Sequence, residues 1–250
     1  MELELAGRVA IVTGGSKGVG KAIAQELAQE GVNVVICARH REALEETARA
    51  LAQATGRRIV PIVADTTSWE SVTRLVETTL TELGRIDILV NNAATPGGLV
   101  RGALAEADEG ALLEDIDTKV VGYLRCAKAV APHMQQRGWG RIINIGGLSG
   151  RRSGVISGLR NAAVVHLTKT LADQLGPHGI TVNLVHPGAT RTERTDQEAA
   201  RRAAQSNAIR RMVDAQEIGQ VVTFLASTKG AAITGVAIDA SGGSIPVMFQ

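Results

Sequence analysis

The chain carries 250 residues, 44% of them hydrophobic and 21% charged, with a formal net charge of +2. These proportions describe a globular protein with a large core and argue against a disordered chain. The near-neutral balance, the scattered basic residues and the scarcity of aromatic rings (two Trp, one Tyr, two Phe) argue against a nucleic-acid partner, and no apolar run approaches a membrane span.

The acidic opening MELELAGRVAIVTGG runs straight into a strand, so no signal peptide is expected and a cytoplasmic location is. The strand VAIVTG (9–14) precedes a helix near 19–30, and NVVICA (33–38) precedes a helix at 41–55. RIVPIVA (58–64) is followed by a helix at 68–83, and IDILVNN (86–92) by a long helix at 110–137. RIINIG (141–146) leads to a helix at 157–175, ITVNLV (180–185) to further helix at 195–228, and GVAIDA (235–240) closes the series. Strands this continuously apolar suit a parallel sheet covered on both faces. The alternation predicts an α/β fold: a single-domain, Rossmann-like, doubly wound sheet of about seven parallel strands. Cys37 and Cys126 lack metal-ligand spacing and read as small buried hydrophobes of a reducing compartment; no metal cluster is visible. The most polar stretch, ATRTERTDQEAARRAAQSNAIRR (189–211), is either a solvated helix, which composition alone favours, or a lid over a substrate site.

Chemistry is first legible in the turn after the first strand. Gly14, Gly18 and Gly20, with Ser16, Lys17 and Val19 between them, open the first helix. Glycines let the backbone approach a pyrophosphate, which then meets the helix N-terminus and its partial positive charge. A carboxylate at the end of the second strand would accept hydrogen bonds from the adenosine ribose of NAD. None stands there; Arg39 does, with Lys17 in the turn. Two cations suit a 2′-phosphate, so NADP(H) is the expected cofactor, the alternative being two solvated surface charges.

TGGSKGVG (13–20), AD (64–65), NNAA (91–94), GRIINI (140–145), RNAAVVHLTKTLA (160–172), ITVNLVHPGATRT (180–192) and TGVAIDASGG (234–243) lie in order along nearly the whole chain. Together they resemble the classical short-chain dehydrogenase/reductase family. The resemblance implies a nicotinamide cofactor, a small-molecule substrate and a homotetramer or homodimer paired through the helices at 110–137 and 157–175. It places Asp65 and its neighbour Thr66 near the adenine. Asn92, Ala93 and Ala94 would line the cofactor, Ala94 standing where the family has glycine, and Pro187, Gly188 and Thr192 would hold the nicotinamide amide.

The family's catalytic residues are absent. Its tyrosine and lysine positions hold Ser157 and Asn161, its serine position Gly147, and its asparagine position Lys119. Asp117 reaches that last position only with a two-residue slip, and the loop from Gly147 to Ser157 is a few residues shorter than the family's. In the family the tyrosine protonates the carbonyl oxygen while the lysine lowers its pKa. A serine hydroxyl is a poor acid near neutrality, and Asn161 offers no charge. The remaining catalytic candidates are Lys119 and Tyr123, which share a face of the long helix with the stripe Leu112, Ile116, Val120, Ala127 and Val130. They form a reversed lysine–tyrosine pair, unless Tyr123 packs in the core and Lys119 snorkels to solvent. Arg151, Arg152 and Arg160, Ser149 and Ser153, and His166 and His186 are weaker candidates. Three readings stay open: an NADP(H)-dependent oxidoreductase with a non-standard proton donor, a non-redox enzyme (lyase, isomerase or dehalogenase-like) on the same fold, and a cofactor-binding pseudoenzyme.

Overall fold

Seven apolar segments form one parallel sheet in the computed structural model, which describes residues 2–100, 103–151 and 154–245. Along the first half run β1 (Val9–Thr13), α1 (Gly18–Gln29), β2 (Asn33–Ala38), α2 (Arg41–Thr55), β3 (Ile59–Val63), α3 (Trp69–Leu83) and β4 (Ile88–Asn91). The second half holds α4 (Glu109–Ile116), α5 (Gly122–Arg137), β5 (Gly140–Ile145), α6 (Gly158–Leu175), β6 (Ile180–Pro187), β7 (Thr190–Arg191), α7 (Gln197–Gln205), β8 (Val213–Asp214), α8 (Ala215–Ala226) and β9 (Ala237–Ala240). The sheet order is β3-β2-β1-β4-β5-β6-β9, and every pairing is parallel. The order reverses between β1 and β4, so a crevice opens above the carboxyl ends of those two strands.

Side chains alternate across each strand and sort the core into two layers. Val12, Ile36 and Val90 pack with Ile23 and Leu27 of α1, Leu44 of α2 and Val222 of α8. Ile11, Val35 and Leu89 pack on the other face with Val72 of α3, Val130 of α5 and Leu171 of α6. Cys37 and Cys126 are free, buried and part of this second layer. Among the described residues, no helix is long and apolar enough to cross a membrane.

Two predicted helices are divided. The helix expected at 110–137 consists of α4 and α5 joined through a π-helical turn, Asp117–Val121. Asp115, Lys119 and Tyr123 are spaced by four, and in an α-helix of 3.6 residues per turn each such step overshoots a full turn by roughly 40°. The wider turn absorbs that drift and keeps all three on the buried face, at 1%, 3% and 1% exposure. The segment expected as helix at 195–228 breaks into α7, a loop with β8, and α8. Ala208 and Ile209 give their N–H groups to Gly242 O (2.9 and 3.2 Å) rather than to a helix, and Arg210 takes φ 56°. The Glu217 carboxylate accepts from the Asp214 N–H at 2.8 Å, which starts α8 afresh. Arg152 and Ser153 lie outside the described residues.

Candidate active site

The turn from β1 to α1 is built by close backbone approach. Gly14 and Gly18 adopt φ of 65° and 57°, where L side chains are strained. A Cβ on Gly20 would stand 2.3 Å from Gly14 O, so that position admits no side chain. Thr13, fully buried, ties the turn to the end of β4: its Oγ1 accepts from Asn92 N (2.9 Å) and Ala93 N (3.0 Å). Asn92 Nδ2 returns bonds to Thr13 O and Gly14 O at 3.0 and 3.2 Å. The result is an open cradle of backbone N–H groups at the start of a helix.

That cradle already binds an anion. The Glu193 carboxylate accepts from Gly18 N at 3.0 and 3.3 Å, a negative group standing where a pyrophosphate would meet the helix. With the absence of a Cβ at Gly20, it shows that the turn fits a dinucleotide's phosphates. Farther along, the Asp65 carboxyl is below its usual range: burial opposes this, but the Thr67 N–H and hydroxyl and the charges of Arg39 and Arg125 outweigh it. Arg39 and Lys17 are exposed at the same end.

A single cleft of about 640 Å³ is lined by the whole glycine turn from the sequence expectation, by Arg39, Asp65 and Thr66, by Asn92 to Ala94, and by Pro187, Gly188 and Thr192. Thr95 to Gly97, Glu114, Thr118, Lys119, Arg160 and Arg194 line the rest of it. Thr190, Thr192 and Arg194 bring the start of the polar 189–211 stretch to the cleft wall.

Lys119 is a buried ammonium that lines the cleft. Its Nζ donates to Gly146 O at 3.0 Å and to Asn161 Oδ1 at 2.7 Å, which leaves one N–H of an ammonium for the cleft it lines. Burial, and after it the Arg160 charge, push its pKa down to about 7, with Asp115 partly opposing them. Lys119 therefore does not snorkel. Tyr123 does pack in the core: its hydroxyl donates to Ile145 O at 3.0 Å, it sits with Val164 and Leu184, and it is not among the cleft-lining residues. Burial raises its pKa still further above the ordinary phenol value. Lysine and tyrosine thus reach two successive carbonyls of the chain leaving β5, yet only lysine meets the cleft.

Ser157 and Asn161 support their neighbours. Asn161 holds Lys119 through Oδ1 and Ser149 Oγ through Nδ2 (2.8 Å). Ser157 Oγ donates to Asp115 Oδ2 (2.8 Å) and accepts from Val100 N (2.9 Å). Lys119 stands on the turn between α4 and α5 and Asn161 on α6, so the ammonium enters the cleft from the α4–α5 side. His186 accepts from Gly147 N through Nδ1 at 3.0 Å, and burial pushes its pKa down to about 4, so it stays neutral; His166 is exposed on α6. Asp115 escaped the sequence reading. Its signal was its place four residues before Lys119 on the same helical face.

The doubly wound sheet, the anion-binding glycine turn and the cleft at the switch point define a dinucleotide-binding protein of Rossmann type. The chain belongs to the short-chain dehydrogenase/reductase family of oxidoreductases, and the family described as enoyl-(acyl carrier protein) reductase matches residues 14–244. It is 34% identical to the short-chain reductase protein NovJ of Streptomyces niveus, over 94% of this chain and 93% of that one. It is also 34% identical to a 3-oxoacyl-(acyl-carrier-protein) reductase of Synechocystis, over 96% and 98% of the two chains. L-sorbose reductase from Gluconobacter frateurii, solved in complex with NADPH and L-sorbose, superposes with a TM-score of 0.92 at 28% identity, covering 99% of this chain and 100% of that one.

Proposed function

We propose that this chain is an NADP(H)-dependent oxidoreductase acting on a carbonyl/alcohol pair, with the Lys119 ammonium in the acid's role that tyrosine plays elsewhere in the family. One observation carries this reading: a buried amine, held by two acceptors and pushed down to about 7, offers its remaining N–H to the cleft. A nicotinamide cofactor bound in this cleft would supply the hydride for reduction, or take it up in oxidation. As charge develops on the carbonyl oxygen, Lys119 stabilises it and gives up a proton; in the oxidative direction the neutral amine takes the proton back. Gly146 O and Asn161 Oδ1 fix the direction of that proton, and the neighbouring Thr95 to Gly97 and Pro187 help to wall the cleft.

The pH dependence tests the reading. With NADPH and a panel of aldehydes and ketones, kcat/KM for reduction should be level below about 7. It should then fall about tenfold per pH unit above that point, because the acid is lost. Alcohol oxidation should show the mirror profile. A reduction rate flat from pH 6 to pH 9 removes Lys119 from the role.

Cofactor preference rests on Lys17 and Arg39 at the adenosine end and on the lack of a carboxylate closing β2. Arg39→Asp should cut the NADPH-over-NADH affinity ratio at least about tenfold, since it removes one charge-assisted contact and adds a repelling carboxylate. Titration calorimetry without substrate reads this directly, and an unchanged ratio counts against Arg39. A pseudoenzyme is the second reading, favoured by the structural bonds that occupy Ser157 and Asn161; tight NADPH binding without turnover across the panel would establish it.

Self-association through the long helices belongs to the same proposal. Leu113 of α4, Leu124 of α5 and Leu159 of α6 are 66%, 42% and 54% exposed, apolar area that a second copy would cover. Light scattering at micromolar protein should find a homodimer or homotetramer, and a strictly monomeric solution contradicts it.

A further inference from the structure

Behind Lys119 lies a buried ion pair that proton transfer does not itself use. Arg160 Nη1 meets Asp115 Oδ1 at 2.7 Å, with side chains 5% and 0% exposed. Desolvating such a pair generally gains no stability over apolar residues of the same volume, so core packing alone does not explain it. On one side the pair clasps the loop that follows β4. Arg160 Nη2 donates to Thr95 O at 2.9 Å, Asp115 Oδ2 accepts from Leu99 N at 2.9 Å, and Ser157, bonded to Asp115, takes Val100 N. A neutral clasp would tie the same loop without burying charge. On its other side Arg160 lines the cleft with Lys119, and its Nε–H is buried with no partner among the described residues.

We propose that Arg160 is a positioning residue for the step at Lys119: clasped between Asp115 and the Thr95 carbonyl, it holds the 95–100 wall in place and keeps a permanent positive charge beside the reacting ammonium. This role rests on Lys119 being the acid. The charge favours release of the lysine's proton and, until that proton reaches the substrate oxygen, lowers the electrostatic cost of the negative charge developing there. Other groups face Lys119 or share its cleft. Glu114 and Asp115 come from α4, Tyr123 from α5 and His186 from β6. Tyr123 stays a neutral phenol and His186 a neutral imidazole near pH 7. Arg160 lowers the proton affinity of Lys119 more than Asp115 raises it.

The test follows Lys119 by NMR in protein labelled with ¹³C-lysine, its resonance assigned by disappearance in Lys119→Met. The pH profile of kcat/KM is measured on the same variants, with folding checked by circular dichroism. In Arg160→Gln the Lys119 resonance should titrate about one pH unit or more higher, and the falling limb of the reduction profile should move with it. Arg160→Lys restores the charge but not the two-pronged clasp, so it should keep both midpoints near wild type while raising KM. Should Arg160→Gln fail to fold with Asp115 uncompensated, Asp115→Asn/Arg160→Gln removes both charges, and the limb should still move up, by less. An Arg160-free protein whose Lys119 resonance does not move overturns the proposal, whether or not Lys119 is the acid. A resonance that moves while the activity profile stays in place overturns Lys119 as the acid, and with it any part for Arg160 in the reaction.

Discussion

Lys119→Met should lower kcat/KM for NADPH-dependent carbonyl reduction by roughly a hundred- to ten-thousand-fold, the range by which a positioned acid accelerates such steps. Methionine keeps most of the buried apolar stem, so the α4–α5 helix should stay in place while the ammonium is lost. The falling limb near pH 7 should vanish with it. NADPH affinity should change little, because the glycine turn and Arg39, proposed to take the phosphates and adenosine, line the cleft independently of this side chain. A variant that keeps wild-type kcat/KM would show that water or another donor protonates the substrate. Loss of turnover together with loss of NADPH binding would show a collapsed site instead, which is why both quantities need to be measured.

Asp115→Ala should be among the most destabilising single changes in this protein. The carboxylate is 1% exposed and accepts from Arg160, Ser157 and Leu99. Its removal leaves the Arg160 charge buried without a counter-ion, a change that costs about 3–5 kcal/mol in comparable buried pairs. At about 2–4 °C per kcal/mol for a chain of roughly this length, the melting temperature should fall by about 6–20 °C. The cut ties also free the 95–100 wall, so KM should rise in whatever fraction remains folded. A melting temperature within about 2 °C of wild type would mean that solvent or neighbouring groups satisfy Arg160, and that the clasp carries little strain when opened.

What determined the sheet was already present along the chain. VAIVTG, NVVICA and IDILVNN each hold an unbroken apolar run (9–12, 34–38 and 88–90) because both faces of their strands are covered, and that pattern needs no knowledge of neighbours. The glycine turn was equally legible: a strand, a spaced glycine run and a helix start are local features, and a Cβ on Gly20 would already meet the carbonyl of Gly14 before the Asn92 side chain just past β4 closes in as well. That Ser157 and Asn161 stand where the resemblance leads one to expect tyrosine and lysine also needed only the residue order.

The surroundings of Lys119 were decided by tertiary structure. Whether a lysine on an apolar stripe snorkels or stays inside depends on acceptors remote in sequence, and Lys119 finds Gly146 O and Asn161 Oδ1, 27 and 42 residues away. Its proton affinity follows from burial and from Arg160 on another helix, quantities that no spacing along α4 and α5 contains. Tyr123 shares that helical face yet turns its hydroxyl to Ile145 O, the carbonyl at the end of β5 that lies 3.0 Å from it. The predicted helix from 195 to 228 was broken by the same kind of cause: the Gly242 carbonyl, more than thirty residues downstream, takes the N–H groups of Ala208 and Ile209. Local pattern determines which segments become strands and helices; the acceptors and charges that other segments bring within about 3 Å decide what a side chain on them does.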